Sequence, residues 1–520
     1  MMGDPGATTA AIALDPPAAP RPVRHEALGA QVFRGSAISL VAQATQLALR
    51  LVSTIVLARL LTPDAYGLVA MVTVVTGFIA LFKTLGLATA TVQAPRVSHA
   101  ELNGLFWLNV AFGAAAFVVA GAVAPLLALV YSEPRVTPLV AGLSVTFLIG
   151  GLGVQHHALL RREMRFGTVA WIEISAIAVG TAAAIFLASQ GAGPWALVGA
   201  YIVTECVNLV LVWQAVEWRP TRPRFDAGVG DMVALGRDLT QFNVLNYWAR
   251  NLDNFLIGRF WGASQLGLYN RAYQLLLLPL QQVTTPLSSV AISALSRLNG
   301  EDVRYRQAYV RLLEKIVLAC MPMTAFLFVN AAPVVDLLLG PRWKEVAPVF
   351  MPLAVAGMVQ PVSATFIWML VSQGRRADLR LWSIVGSALS CAAIIAGMSR
   401  GVLAVAIFYA ACELFVRAPL LAWFVGRRGP VGVGDVLRAI GPGVAVSAAI
   451  FMACSALSAS VPVHGVRGLA LSAVVALTAG GAVLMGLPSG RRVCADLMSL
   501  IRPSGSRQES RAEAVLLSER

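Results

Sequence analysis

The sequence predicts an all-α integral membrane protein of about 14 transmembrane helices, arranged as two parallel six-helix lobes followed by a C-terminal helix pair. Three observations lead to this class. Of the 520 residues, 58% are hydrophobic and only 13% are charged, which is not the composition of a soluble globular chain. Long apolar stretches recur along the whole sequence. Residues 43–68 also return, shifted by 200 positions, as residues 243–268.

The apolar stretches are each long enough to cross a hydrocarbon core of about 30 Å as a helix of about 20 residues. Short segments of alternating polarity, which mark membrane barrels, do not occur in the sequence. The predicted spans begin near Ser36, Gly67, Leu105, Thr137, Thr168, Pro194, Arg237, Gly267, Leu312, Val346, Leu379, Val402, Val436 and Val466, and the last ends near Leu487.

Basic residues orient the predicted spans, because lysine and arginine are retained on the cytoplasmic side of a membrane. With a cytoplasmic N-terminus, 28 of the 40 basic residues fall in cytoplasmic segments and seven in outer loops. One span more or fewer would destroy this asymmetry. We therefore expect a multi-pass protein of the bacterial cytoplasmic (inner) membrane with both termini inside. Topology and anionic membrane lipids account for the net charge of +14, so no nucleic-acid partner is expected.

The repeat and the polar breaks divide the chain into six parts. Residues 1–34 contain no basic region followed by an apolar core, which predicts a tail without a cleaved signal peptide. The expected parts are a disordered cytoplasmic tail (1–34), an N-terminal six-helix lobe (35–218), a basic cytoplasmic linker (219–235), a C-terminal six-helix lobe (236–428), an extra helix pair (429–488) and a cytoplasmic tail (489–520).

The first and seventh helices carry matching polar stripes, each along one helix face. An ionised side chain within a span costs about 2.5–3.5 kcal/mol on insertion scales, so the stripes are expected to line a water-filled cavity between the lobes. Six helices separate the copies, so both stripes enter the membrane in the same direction. Guanidinium groups grip phosphate oxygens in bidentate fashion, which favours an anionic, phosphate-bearing cargo. The aligned candidates are Gln43, Gln46 and Arg50 in the first copy and Asn243, Asn246 and Arg250 in the second.

Other charged residues within the spans leave alternatives open. Asp253 lies three residues from Arg250 and either neutralises it within the helix or serves ion coupling, whereas Arg50 faces Ser53. Lys83, in the second helix, either attracts anionic cargo or reaches toward lipid headgroups.

Three glutamates also lie within predicted spans. Glu173 and Glu205, in the fifth and sixth helices, have no obvious partner nearby in sequence and are candidate proton sites. Glu413 and Arg417 are one helical turn apart and predict a structural ion pair.

Motifs for covalent chemistry are missing from the sequence. It has neither a Walker loop nor a Gly-x-Ser-x-Gly elbow, and its six cysteines include no close pair. We therefore expect no cofactor, no metal site and no enzymatic activity.

The first loop carries a family resemblance. Residues 57–68 read Leu-Ala-Arg-Leu-Leu-Thr-Pro-Asp-Ala-Tyr-Gly-Leu, and they stand between Arg50 and Lys83, with Leu-Gly-Leu following at 85–87. This opening resembles the polysaccharide transporters of the multidrug/oligosaccharidyl-lipid/polysaccharide exporter superfamily, in particular the Wzx-type lipid-linked oligosaccharide flippases. Residues 254–269 look like the matching segment of the second half, so the resemblance covers about residues 30–430.

The resemblance implies a function as well as a fold. Such proteins carry undecaprenyl-pyrophosphate-linked oligosaccharide repeat units to the outer leaflet by alternating access of two lobes, for exopolysaccharide or lipopolysaccharide biosynthesis. Arg50, Arg250 and Lys83 would then meet the phosphates, and the four amides of the stripes would meet sugar hydroxyls. The expected partners are a polyprenyl-pyrophosphate-linked glycan, membrane lipids, a polysaccharide polymerase and glycosyltransferases.

Three alternatives remain at the level of sequence. The extra helix pair is similar to that of peptidoglycan-precursor flippases, where it flanks a groove for the lipid tail. A multidrug or small-cation exporter of the same superfamily would be expected to carry acidic cavity residues in place of arginines. A membrane scaffold for glycan assembly that transports nothing would not need the paired stripes.

Overall fold

The computed structural model describes the backbone of residues 25–84, 88, 91–92, 97–223, 228–461, 463–487 and 490–491, and their side chains except those of 25–40, 82–84, 228–246 and 249. Every regular element in this part of the chain is helical, as the composition predicted. The helices of the first half are α1 (His25–Leu60), α2 (Pro63–Thr84), α3 (His99–Tyr131), α4 (Val136–Arg162), α5 (Phe166–Ser189) and α6 (Pro194–Ala215).

The second half contains longer and more irregular helices. Glu413–Arg417 form a π-helical turn that joins α12 and α13 into one span. The remaining elements are α7 (Gly228–Arg297), α8 (Asp302–Val329), α9 (Ala331–Leu338), a 3₁₀ turn (Pro341–Trp343), α10 (Val346–Ser372), α11 (Arg376–Met398), α12 (Val402–Cys412), α13 (Ala418–Gly426), α14 (Val433–Ser460) and α15 (Gly465–Gly486).

Two predicted boundaries differ from the structure. Helix α1 begins at His25, so residues 25–34 are helical where the sequence predicted a disordered tail. Helix α7 begins at Gly228, inside the segment predicted as a linker to residue 235. In both places the polar composition marked the edge of the apolar span, whereas the helical backbone continues beyond it.

Thirteen helices of the described chain are long and apolar enough to cross a membrane, and one of them, α7, consists of two helices joined at a break. Helix α7 is broken at Gly262, whose φ of 76° and ψ of 179° are accessible mainly to glycine. We call residues 228–261 α7a and residues 263–297 α7b. This break brings the spans to the fourteen that the sequence predicted.

The alternating spans give the bundle two ends. We call the end with the short connection between α1 and α2 (residues 61–62) the first-loop side. We call the opposite end, where the chain leaves α6 (residues 216–223), the linker side. In the first connection, the Ala65 amide donates to the Thr62 hydroxyl at 3.4 Å, and Pro63 begins α2. Asp64, in the first turn, receives two hydrogen bonds from Arg135 at 2.8 and 3.1 Å.

The two lobes meet where α2 crosses α7b, and the meeting point follows the sequence repeat. A Cβ on Gly67 would overlap the carbonyl oxygen of Ala263, and a Cβ on Gly267 would overlap that of Pro63. Positions 67 and 63 become 267 and 263 under the 200-residue shift. The contact is therefore made twice, once from each lobe, as expected for parallel repeats related by an axis along the membrane normal.

The C-terminal helix pair is attached to the second lobe. Helix α14 packs against α8, with Gly443 against Val317. Helix α15 is joined to the loop after α8 by a hydrogen bond of 2.9 Å from the Ser472 hydroxyl to the Asn330 side chain.

Candidate functional site

The stripe on α1 is exposed at two of its three predicted ligand residues. Gln43 and Arg50 are exposed, and Arg50 forms no ion pair with any residue that the structure describes. Arg50 lies ten residues before the end of α1 at Leu60, which places it about 15 Å from the first-loop side. Gln46 is half-buried and donates a hydrogen bond of 3.1 Å to Glu173 on α5.

The stripe on α7a is described only in part. Arg250 is exposed and lies twelve residues before the break at Gly262, about 18 Å from the first-loop side. Arg50 and Arg250 therefore lie at similar depths. The side chains of Asn243 and Asn246, and that of Lys83 on α2, lie outside the described residues.

Asp253 does not neutralise Arg250, contrary to one of the two interpretations of its sequence position. Its carboxylate is buried and accepts hydrogen bonds from the Tyr269 hydroxyl at 3.0 Å and the Asn254 amide at 2.7 Å. The structure contains no ion pair between Asp253 and Arg250, although it describes both side chains. Because Tyr269 lies on α7b, the bond ties the two halves of α7 together across Gly262. Arg250 is left with its charge unpaired within the described chain.

Glu173 has partners that its local sequence did not reveal. Besides Gln46, it lies 3.8 Å from the Arg161 guanidinium on α4. Sequence spacing could not show this, because the three residues come from three different helices. We call Gln46, Arg161 and Glu173, together with His157, Glu205 and Asn208, the N-lobe polar cluster.

The rest of the N-lobe polar cluster surrounds a cavity of about 140 Å³ between α4 and α6. His157 and Asn208 line it, and the His157 Nε2 lies 2.9 Å from the Asn208 Oδ1. Glu205 lines the same cavity. Both candidate proton sites of the first lobe thus belong to one connected region near the linker side, in which water can reach a carboxylate.

The second lobe contains the ion pair that the sequence predicted. The Arg417 guanidinium lies 2.6 Å from Glu413, which is 1% exposed. Glu413 also accepts a hydrogen bond of 3.0 Å from Ser363 on α10. A buried charge that is paired and hydrogen-bonded in this way has a structural explanation.

Aromatic and basic side chains join the lobes on the first-loop side. The Trp343 indole, after α9, is fully buried and donates a hydrogen bond of 2.8 Å to the carbonyl of Ala58 on α1. Its ring lies 5.4 Å from that of Tyr66, and the Arg271 guanidinium lies 3.8 Å above the Tyr66 ring. With the glycine contacts described above, these residues close the first-loop side of the interface.

The contact between the lobes continues toward the middle of the bundle. The Tyr247 hydroxyl on α7a donates to the backbone carbonyl of Val74 on α2 at 2.6 Å. The Phe78 ring lies 6.0 Å from Tyr247 and 5.2 Å from Trp248. Local sequence patterns do not reveal this row of contacts; its trace in the sequence is the pairing of Gly67 with Gly267 in the repeat.

The chain leaving α6 is fastened to the first lobe. Asn103 on α3 donates a hydrogen bond of 2.7 Å to the carbonyl of Arg222 and accepts one of 2.8 Å from the Thr221 amide. The Trp107 indole donates to the Thr221 carbonyl at 2.7 Å. These hydrogen bonds therefore hold the first part of the connection between the lobes against the first lobe.

Comparison with known sequences agrees with this architecture. The model of a family described as polysaccharide biosynthesis protein matches residues 56–348, more than half of the chain. The lipopolysaccharide biosynthesis protein WzxC of Escherichia coli (strain K12) is 26% identical over 347 residues, which are 66% of this chain and 70% of that protein. The succinoglycan biosynthesis transport protein ExoT of Rhizobium meliloti (strain 1021) is 25% identical over 400 residues, which are 76% of this chain and 80% of that protein.

A solved structure shares the fold. The lipid II flippase MurJ, in an inward closed conformation, superposes with a TM-score of 0.69 over 87% of this chain and 98% of its own. The sequence identity is 11%, so the likeness bears on the fold alone.

Proposed function

The chain belongs to the polysaccharide biosynthesis protein family, and from this premise we propose that it is a flippase for undecaprenyl-pyrophosphate-linked oligosaccharide repeat units. It moves them from the inner to the outer leaflet of the cytoplasmic membrane by alternating access, for exopolysaccharide or lipopolysaccharide biosynthesis. The observation that carries the proposal is the pair Arg50 and Arg250. They occupy equivalent positions of two parallel repeats, and both are exposed within membrane-spanning helices.

In this proposal the linker side faces the cytoplasm. The connections on that side hold most of the basic residues, as the retention of lysine and arginine requires. The first-loop side then faces outward, and the contacts around Trp343 and the two glycines form the outer gate. The protein takes cargo from the inner leaflet while that gate is closed.

The pyrophosphate of the cargo is bound by Arg50 and Arg250, with Lys83 attracting it on entry. Guanidinium groups suit this task because they stay charged and form bidentate hydrogen bonds to phosphate oxygens. Sugar hydroxyls close to the pyrophosphate are contacted by the four amide side chains of the stripes, those of Gln43, Gln46, Asn243 and Asn246. Gln46 donates one N–H to Glu173 and has its other N–H and its carbonyl oxygen left for a sugar hydroxyl, so cargo bound there would be linked to the N-lobe polar cluster.

Direction is supplied either by the membrane potential or by a coupled ion. Moving one charge across the potential is worth about 2.3 kcal/mol per 100 mV. For coupling we propose Glu173 and Glu205, which belong to the N-lobe polar cluster, and the buried Asp253, which lies at the break in α7. No covalent bond is made or broken in this cycle.

Substitution of Arg50 tests the proposal. The full chain is reconstituted in proteoliposomes, and transfer of radiolabelled undecaprenyl-pyrophosphate-linked oligosaccharide between leaflets is measured. A hydrogen bond to a charged group contributes about 1.5–3 kcal/mol, so Arg50→Ala is expected to weaken cargo binding about tenfold or more. Arg50→Lys retains the charge without the bidentate geometry and should fall between Arg50→Ala and wild type.

The control is Arg467→Ala, because Arg467 is exposed at the start of α15, far along the chain from either stripe. It should transfer cargo at the wild-type rate. Unchanged transfer in both Arg50 variants would rule out the phosphate role. Absence of transfer in wild type, with the glycan still assembled in cells, would instead favour the scaffold.

The proposed partners follow from the position of the transport step. A glycosyltransferase must complete the lipid-linked glycan inside, and a polymerase must receive it outside. Co-purification of either enzyme with the full chain in mild detergent would support direct contact.

A further inference from the structure

A polar face on α7b lies outside the predicted cargo stripes. Six exposed polar side chains share one face of this helix, which has the exposed Val290 and Ala294 at its edge and continues to the linker side. We call this face the polar lane, and its members are Gln281, Gln282, Thr285, Ser289, Ser293 and Arg297.

The opposite face of α7b fixes the direction in which the polar lane points. Leu280, Ala291 and Leu295 are at most 5% exposed and pack into the protein core. At 3.6 residues per turn these positions lie opposite the lane. The lane therefore points away from the core, toward either lipid or water.

The composition of the lane selects water. Gln281, Gln282 and Thr285 make no hydrogen bond from their side chains to any residue that the structure describes. Amide groups without partners are costly in hydrocarbon, so such residues face a protein interior or a water-filled cavity. At the linker-side end, Ser289, Ser293 and Arg297, together with Val290 and Ala294, border an open groove of about 410 Å³. The lane thus faces water at the linker side.

The 200-residue shift compares the lane with the first half of the sequence. Gln281, Gln282 and Thr285 correspond to leucine, phenylalanine and leucine at positions 81, 82 and 85, whereas Ser289 and Ser293 correspond to a threonine and a glutamine at 89 and 93. The polarity of the lane near Gln281 is therefore particular to the second half.

We infer that the polar lane binds the glycan part of the lipid-linked cargo, an inference that rests on the proposed function. Gln281 lies 19 residues beyond Gly262, so it is about 10 Å nearer the linker side than Arg250. From there the lane runs about 24 Å to Arg297. A pyrophosphate held by Arg50 and Arg250 leaves the attached sugars extending along this path.

The chemistry of the lane matches neutral sugars better than phosphate. Amides and hydroxyls both donate and accept hydrogen bonds, as sugar hydroxyls do. The Ser289 hydroxyl bonds weakly to the Pro286 carbonyl at 3.5 Å, which leaves its oxygen free to accept. Arg297 contributes the single charge of the lane, at the end farthest from the pyrophosphate.

The test separates recognition of sugar from recognition of the lipid carrier. The full chain in nanodiscs is titrated with undecaprenyl pyrophosphate and, separately, with the same carrier bearing an oligosaccharide repeat unit. The variant Q281L/T285V/S289A is expected to bind the glycosylated carrier at least tenfold more weakly than wild type and the sugar-free carrier equally well. Equal affinity of variant and wild type for the glycosylated carrier, or equal weakening for both carriers, would overturn the inference. Failure of wild type to bind either carrier would overturn the proposed function as well.

Labelling provides a second readout that does not depend on folding of the triple variant. In a background without native cysteines, Ser293→Cys should react with a membrane-impermeant maleimide, and the glycosylated carrier should protect it. Leu477→Cys on α15 is the matched control, because Leu477 is 76% exposed and apolar and should stay unlabelled in the bilayer. A Ser293→Cys side chain as unreactive as Leu477→Cys would place the lane in lipid and refute the inference.

Discussion

A valine at Gly67 or Gly267 should hold the first-loop side of the protein open. Each glycine lies against a backbone carbonyl of the other lobe, at Ala263 and Pro63 respectively. A backbone atom cannot rotate away as a side chain can, so the added carbon atoms have to push the lobes apart. Forcing extra carbon atoms into a packed contact costs about 1–3 kcal/mol.

This cost applies to one conformation only. The contact exists when the first-loop side is closed, whereas the change in helix propensity caused by replacing glycine is the same in both conformations and cancels. The ratio of closed to open molecules should therefore fall about 5- to 150-fold for each variant. The double variant should show less than the sum of the two effects, because the first substitution already separates the surfaces that the second would contact.

The assay is a distance measurement between spin labels. Labels at Thr62 and Ser264, which are exposed near the glycine contact on opposite lobes, report the separation by pulsed electron paramagnetic resonance. Wild type should show a short distance, and Gly67→Val and Gly267→Val a larger population at long distance. The control is Gly121→Val, because a Cβ at Gly121 meets no atom within 4 Å. Distance distributions that match wild type in both gate variants would refute this account of the contact.

Two further predictions concern stability and the linker. Glu413→Gln should lower the free energy of unfolding by about 1–3 kcal/mol because it leaves the half-buried Arg417 without its carboxylate partner, and thermal unfolding of the variant should recover when Arg417→Leu is added. Asn103→Leu should speed hydrogen exchange of the Thr221 amide about tenfold or more, since that amide loses its acceptor, while amides within α3 keep wild-type rates as measured by mass spectrometry.

The sequence indicated how deep each residue lies in the membrane and which helix faces are polar. Runs of apolar residues predicted fourteen spans, and the six helices between the two copies of the repeat predicted the parallel lobes that the structure confirms. The sequence pattern did not predict a helix break at Gly262, although this residue lies between two predicted spans. Both results depend on local patterns, which a membrane constrains strongly because every span must cover a similar thickness.

Partners from different helices could not be predicted in this way. The spacing of one helical turn allowed an ion pair between Asp253 and Arg250, yet the Asp253 carboxylate accepts a hydrogen bond from Tyr269, beyond the break in the helix. Glu173 seemed isolated because Gln46 and Arg161 approach it from two other spans. Periodicity tells which face a residue occupies, whereas the identity of the neighbouring helix depends on packing that no local window contains.

The exchange of contacts between Gly67 and Gly267 has a consequence for the history of the chain. Gly67 lies against Ala263, and Gly267 lies against Pro63. Because these two contacts correspond under the 200-residue shift, the contact surface is self-complementary, as in an isologous dimer. A six-helix ancestor with one such glycine would have met a second copy of itself through this surface, and gene fusion would have preserved the contact. In that ancestor any substitution changed both sides at once. In a fused chain the two sides can change separately, and the corresponding positions Ser53 and Asp253 do differ, whereas Gly67 and Gly267 match.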